Sequence, residues 1–222
     1  MITFVSTNST SDPARYVDGR ILGHLADSRR VLWLISGGSC IEVAAEAARA
    51  IASSGQQLKN LTISLIDERY GPPGHANSNW AQLQAAGLHL PGATLHPVLT
   101  GADQPATAAA FAEFLADQFA AADFRLGLLG IGPDGHTSGI LPHSPAVTAS
   151  GLAFAYDGPD FRRITTTADA LAHLDEAVVY VVGQRKWPLL DRLETDLPVA
   201  DQPAQLLKTI PKLTIFTDRP EK

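Results

Sequence analysis

Leu126-Gly127-Leu128-Leu129-Gly130-Ile131-Gly132-Pro133-Asp134-Gly135-His136-Thr137 is the stretch that decides the fold. Leu126 to Ile131 reads as a buried strand. It runs straight into a glycine-rich loop, the arrangement an open α/β sheet presents at the carboxyl ends of its strands, where ligands gather. The glycines let the backbone turn sharply and come close to a ligand. Asp134 and His136 stand two residues apart on that loop. A carboxylate that orients an imidazole makes a general base suited to neutral pH. The same residues also fit a plain turn with a surface histidine, so the decision rests on the rest of the chain.

Outward from this stretch, short β-branched apolar runs alternate with Ala- and Leu-rich helical patterns. Strands are expected at Val31–Ile35, Leu61–Ile66, Thr94–Val98, Ala177–Val182 and Leu213–Thr217. Leu152–Tyr156 and Arg162–Thr167 read as a strand pair around an Asp-Gly-Pro-Asp turn. Helices are expected at Ile41–Ala52, Asn79–Gly87, Pro105–Ala120 and Gln184–Leu193, with a helical turn at Leu171–Leu174. Val31 is taken as the start of the first strand. Strand–helix alternation with strands buried on both sides predicts an α/β fold. Its sheet is doubly wound and mostly parallel, with helices on both faces. No linker or repeat divides the chain, so residues 1–222 are expected to form a single domain, with Leu197–Pro203 as an internal loop.

Apolar residues make up 45% of the chain and charged residues 18%, a globular composition. A net charge of −6 argues against nucleic acid or an anionic membrane as partner. It leaves room for a phosphorylated small molecule, which needs only a local basic pocket. The single cysteine, Cys40, fits a reducing compartment. No cationic start leads into a long apolar stretch, and no run is long enough to span a membrane. A cytoplasmic protein, acting as a monomer or weak homo-oligomer, is expected.

Three further segments follow expected strand ends. Ser36-Gly37-Gly38-Ser39 precedes a helix, where backbone N–H groups and the helix dipole suit a phosphate. A tight turn with Ser39 as N-cap is the alternative. It lacks the lysine and spacing of a Walker loop. Asp67-Glu68-Arg69 opens a loop that runs on to His75 and Ser78-Asn79. Arg69 suits a phosphate or sugar oxygen and Asp67 a sugar hydroxyl or water, although an internal Asp–Arg pair would also account for them. Gly183-Gln184-Arg185-Lys186 starts another helix, where a lysine opposes the dipole unless an anion offsets it. Cys40 is assigned a packing role. His75, His136 and Asp67 carry no metal-ligand signature, so no metal is expected.

Together these motifs resemble the bacterial 6-phosphogluconolactonases, which share a fold with glucosamine-6-phosphate isomerase/deaminase. The resemblance rests on Ser36–Ser39, Asp67–Arg69, Ser78-Asn79, Gly130–Ser138, Arg163-Ile164-Thr165 and Gly183 with Lys186, in that order. It spans about residues 31 to 217. Gly130–Thr137 is its specific part. Thr137-Ser138-Gly139-Ile140-Leu141-Pro142 follows the lactonase pattern, whereas the deaminases run toward Asn-Glu-Pro and carry Tyr where Arg69 stands. Cys40-Ile41, Gly139-Ile140 and Trp187 depart from the family pattern.

The resemblance implies hydrolysis of 6-phosphoglucono-1,5-lactone without metal or organic cofactor. His136 would be the general base, with Asp134 orienting it and Asp67 beside the reacting groups. Gly37, Gly38, Ser39, Arg69, Lys186 and, more weakly, Arg163 would hold the phosphate. Two alternatives remain at this point. One is isomerisation with deamination of an amino-sugar phosphate. The other is a non-catalytic sugar-phosphate sensor, which would need a DNA-binding segment that the chain does not show.

Overall fold

The computed structural model of the chain describes residues 2–220. Ten strands and six α-helices follow one another along it. The first half runs β1 (Ile2–Ser6), α1 (Ser11–Ala26), β2 (Val31–Ile35), α2 (Cys40–Ser53), β3 (Leu61–Leu65), β4 (Asp67–Arg69), α3 (Asn79–Ala85), β5 (Thr94–Leu95) and α4 (Gln104–Ala121). The second half runs β6 (Phe124–Leu129), β7 (Ala153–Asp157), β8 (Arg162–Thr166), α5 (Ala168–Leu171), β9 (Glu176–Val181), α6 (Trp187–Leu193) and β10 (Lys212–Thr217).

Seven strands form one parallel sheet in the order β1-β10-β9-β6-β2-β3-β5. Every residue of β2 and β9 is buried, as expected of strands covered on both faces. Strand β2 lies between β3 and β6, with Ile35 opposite Leu65 on one side and Leu128 on the other. From β2 the chain winds outward through β3 to β5, then returns to β6 on the other side of β2. The winding therefore reverses between β2 and β6. At such a point the loops after the two strands diverge and leave a crevice.

Three expectations need correction. Val31 does not begin the first strand: β1 pairs with β10 at the sheet edge, from Ile2 opposite Leu213 to Ser6 opposite Thr217. Its residues are only partly covered, so it shows no continuous apolar run. Helix α1 had a legible stripe, with Ala14, Val17, Ile21 and Leu25 buried at helical spacing. Asp67-Glu68-Arg69 is not a loop either. It is strand β4, which joins β8 and β7 in a separate antiparallel sheet ordered β4-β8-β7. The expected strand pair is thus two-thirds of a three-stranded sheet. Two of the three charges on its third strand, Asp67 and Arg69, line a cleft. The expected helical turn at Leu171–Leu174 lies earlier, at Ala168–Leu171.

Candidate active site

The loops after β2 and β6 meet β4, β8 and the Gly183–Lys186 segment around a cleft of ≈ 200 Å³. Ser36, Gly37, Gly38, Ser39, Asp67, Arg69, Gly132, His136, Arg163 and Lys186 all line it. Asp134 stands directly behind His136.

The loop after β6 is built around the imidazole. Gly132 N–H donates to the His136 carbonyl (2.9 Å) and Gly135 N–H to the Gly132 carbonyl (3.0 Å), closing a tight turn. Gly135 holds φ +90°, which only glycine adopts without strain. A Cβ at Gly132 would fall 2.1 Å from His136 Cε1, so this glycine makes room for the ring. Asp134 Oδ1 lies 2.6 Å from His136 Nδ1 and accepts the His136 backbone N–H at 3.1 Å. With Nδ1–H held by the carboxylate, Nε2 is left with its lone pair free. Partial burial works against the charge on Asp134. Hydrogen bonding and attraction to His136 outweigh it and hold the carboxyl down to about 2. Asp134 is therefore held as a carboxylate at neutral pH, hydrogen-bonded to the imidazole.

Strand alternation explains the charged segment. Asp67 and Arg69 share one face of β4 and line the cleft, while Glu68 points the other way and is fully buried. Burial raises the Asp67 pKa above the usual carboxylate range, with Arg69, Arg163, His136 and the Asn79 amide working against it. Glu68 closes the start of α3: its carboxylate accepts Ser78 Oγ–H at 2.7 Å, Asn79 N–H at 2.7 Å, Trp80 N–H at 3.1 Å and Arg69 N–H at 2.7 Å. That anchor fixes Arg69 and Asn79 together. Asn79 Nδ2–H donates to the Asp67 carbonyl (2.9 Å), and its Oδ1 fills the space a side chain at Gly37 would need.

The β4–β8 register sets Arg69 directly opposite Arg163. Like charges in that relation repel. The Phe161 ring lies near both guanidinium groups, 5.3 Å from Arg69 and 5.8 Å from Arg163. Arg163 Nη2 donates to both oxygens of Asp160 (2.8 Å each). Arg69 Nη1 donates only to the Asn77 carbonyl, at 3.0 Å. Arg163 is thus neutralised within the chain, whereas Arg69 and Lys186 form no salt bridge among the described residues.

Helix α2 starts at the cleft with Gly38 at φ +64° and no side-chain cap from Ser39. The N-cap alternative for the Ser39 hydroxyl is not realised. Lys186 does not sit in the first turn of a continuous helix. Residues 184–186 form a 3₁₀ turn and α6 begins at Trp187. Asp218 holds this turn by accepting Gly183 N–H (2.9 Å) and Trp187 Nε1–H (2.9 Å), which explains Trp187. Cys40 is fully buried, and burial pushes its thiol up to about 12 despite the nearby Lys186, as a packing residue requires. His75 is held against the Arg69 carbonyl through Nε2 (2.9 Å). Among the described residues no three His, Cys, Asp or Glu side chains gather in a way that could hold a metal ion.

Among the described residues, five buried side-chain polar atoms without a protein partner belong to cleft residues: Ser36 Oγ, Arg69 Nε, Asn79 Oδ1, Ser138 Oγ and Arg163 Nε. Such atoms are costly unless something else satisfies them. The sequence assigns no role to Asn79, Ser138 or Asp160, and to Ser36 only its place in the phosphate turn. Asn79 and Ser138 lie within recognised motifs, but no periodicity marks a hydroxyl or amide that faces a cleft.

The family model described as Glucosamine-6-phosphate isomerases/6-phosphogluconolactonase matches residues 7–215. The chain belongs to this family. A 6-phosphogluconolactonase of Mycobacterium tuberculosis is 32% identical over 179 residues, covering 72% of this chain and 71% of that one. One from Synechocystis is 30% identical over 182 residues, covering 77% and 74%. The fold matches the crystal structure of a 6-phosphogluconolactonase from Shewanella baltica with a TM-score of 0.81 at 20% identity, covering 98% of both chains. The motif residues that follow β2 and β6 and those on β4 and β8 converge on the cleft. No helix of the described residues is long and apolar enough to cross a membrane.

Proposed function

We propose that the protein hydrolyses 6-phospho-D-glucono-1,5-lactone to 6-phospho-D-gluconate, in the oxidative branch of the pentose phosphate pathway. The observation that carries this reading is the 2.6 Å contact between Asp134 Oδ1 and His136 Nδ1 in a cleft with unpaired cations. His136 Nε2 takes a proton from water as the water oxygen bonds to C1. The C1–ring oxygen bond then breaks, and the imidazolium returns the proton to the departing ring oxygen. General-base help of this kind contributes about 10²–10⁴-fold. Ionised Asp134 steadies the imidazolium.

Arg69, Lys186 and the Gly38–Ser39 amides supply donors for the phosphate, whose binding energy positions the ring for attack. An anion between Arg69 and Arg163 would also relieve their repulsion across the strand pair. The sugar-phosphate partner is in keeping with the 6-phosphogluconolactonases it resembles. We place the reaction in the cytoplasm, carried out by a single domain as a monomer or weak homo-oligomer, with no metal or organic cofactor. The test is acid release from freshly prepared lactone, measured against the uncatalysed rate. Ammonia release from glucosamine 6-phosphate instead would point to the isomerase branch of the family.

A further inference from the structure

Ser138 is a cleft residue that the hydrolytic steps above leave without a task. It is 7% exposed, lines the cleft two residues after His136, and its Oγ has no partner. Its backbone holds φ +53°, a left-handed conformation that L side chains rarely adopt. Both flanks lock it there. Thr137 Oγ–H donates to the Gly130 carbonyl (2.9 Å), Gly139 N–H donates to Thr165 Oγ1 (3.0 Å), and Tyr156 O–H donates to the Gly139 carbonyl (2.6 Å).

A non-glycine residue is thus kept strained, and its hydroxyl kept unsatisfied, at the edge of a polar cleft. Neither helps folding: glycine would suit this φ better, and an orphaned hydroxyl costs free energy. Strain of this kind gathers where a site needs it. The neighbouring wall is Asp67, whose Cβ lies 3.2 Å from where a side chain at Gly139 would start. An ionised carboxylate can only accept, whereas a serine hydroxyl can donate as well. A hydroxyl of the sugar ring can donate to Asp67 and accept from Ser138, satisfying both. Oγ itself is buried, so it meets such a partner by a change of χ1 between staggered wells.

We propose that Ser138, paired with Asp67, binds the ring hydroxyl next to the reacting carbonyl carbon and so sets specificity for a 2-hydroxylated lactone. The proposal rests on the lactonase reading. Wild-type turnover of 6-phosphogluconolactone tests that reading first and separately.

The experiment compares wild type, Ser138→Ala and Ser138→Gly on 6-phosphogluconolactone and on its 2-deoxy analogue, with Tm measured on each protein. A neutral hydrogen bond implies that kcat/KM on the normal lactone falls about threefold to tenfold in both variants, mostly through KM. The 2-deoxy lactone should show no such loss. Ser138→Gly should at the same time raise Tm, because it relieves the φ strain. Unchanged kcat/KM on the normal lactone overturns the proposal. So do equal losses on both lactones, which would place Ser138 against another part of the substrate. A fall in Tm accompanying lost activity overturns it too, because Ser138 would then be supporting the loop.

Discussion

At the residue scale the proposed chemistry depends on one imidazole and the carboxylate behind it. His136→Gln keeps a side chain of similar reach but cannot accept a proton. It is expected to lower kcat by about 10²–10⁴-fold in a protein that still folds. Near-normal kcat in a folded variant would remove His136 from the mechanism. Asp134→Asn tests the orienting role and carries a pH signature. The Asp134 carboxyl is held at about 2 against an ordinary 3.8, so it titrates well below the working range. Its stabilising effect is present above about pH 4 and is lost as pH falls toward about 2. Denaturant unfolding of Asp134→Asn should therefore show a modest stability deficit at about pH 6 that shrinks toward about pH 2. The effect is modest because the carboxylate is half-exposed and screened. A deficit that grows toward acid would mean that Asp134 is not held ionised by His136.

At the element scale β4 does most to build the site. Its three residues serve two sides at once: Asp67 and Arg69 face the cleft, while Glu68 anchors α3. Glu68→Gln replaces one carboxylate oxygen by an NH₂ group and leaves at least one buried backbone N–H facing another donor, since of the four donors only the Ser78 hydroxyl can turn to accept. Stability is expected to fall by at least about 2 kcal/mol, because buried donors lose their acceptor. Since Arg69 and Asn79 share that anchor, kcat/KM should fall more than tenfold as well. Denaturant midpoints and initial rates on the same preparation check both; a Glu68→Gln protein of wild-type stability would show that the four contacts are not made. This strand also shows what the sequence left illegible. Its residues are charged and too few to display a period, and its partner β8 lies far along the chain. The cleft loops were legible because they follow long apolar runs: Val31–Ile35 is β2 from end to end, and Leu126–Ile131 overlaps β6. Edge strand β1 was not, because half-exposed residues carry no continuous apolar signal.

At the scale of the whole molecule, topology brings distant residues to one place. The reversal of winding between β2 and β6 opens the crevice, β4 and β8 wall it, and the segment after β9 adds Lys186. Strand order is set by long-range pairing, so the sequence could suggest that these ends share an edge but not that β4 leaves the main sheet. Because Arg69, Lys186 and the Gly38–Ser39 turn come from three separate elements, their convergence on one cleft is a property of the whole fold. Each charge-assisted contact to phosphate contributes about 1.5–3 kcal/mol. Arg69→Ala and Lys186→Ala should each lower kcat/KM on the phosphorylated lactone by roughly 10–150-fold, since about 1.4 kcal/mol is a tenfold change. Unphosphorylated gluconolactone already lacks the group, so the same variants should hydrolyse it at close to the wild-type rate. The two substrates and two proteins form a double cycle whose coupling measures the side chain–phosphate interaction alone. Arg163→Ala should show weaker coupling, because Asp160 already holds that guanidinium. Equal losses on both lactones would mean that Arg69 and Lys186 sustain the cleft and do not bind phosphate, and the anion would then have to sit elsewhere on the sheet edge.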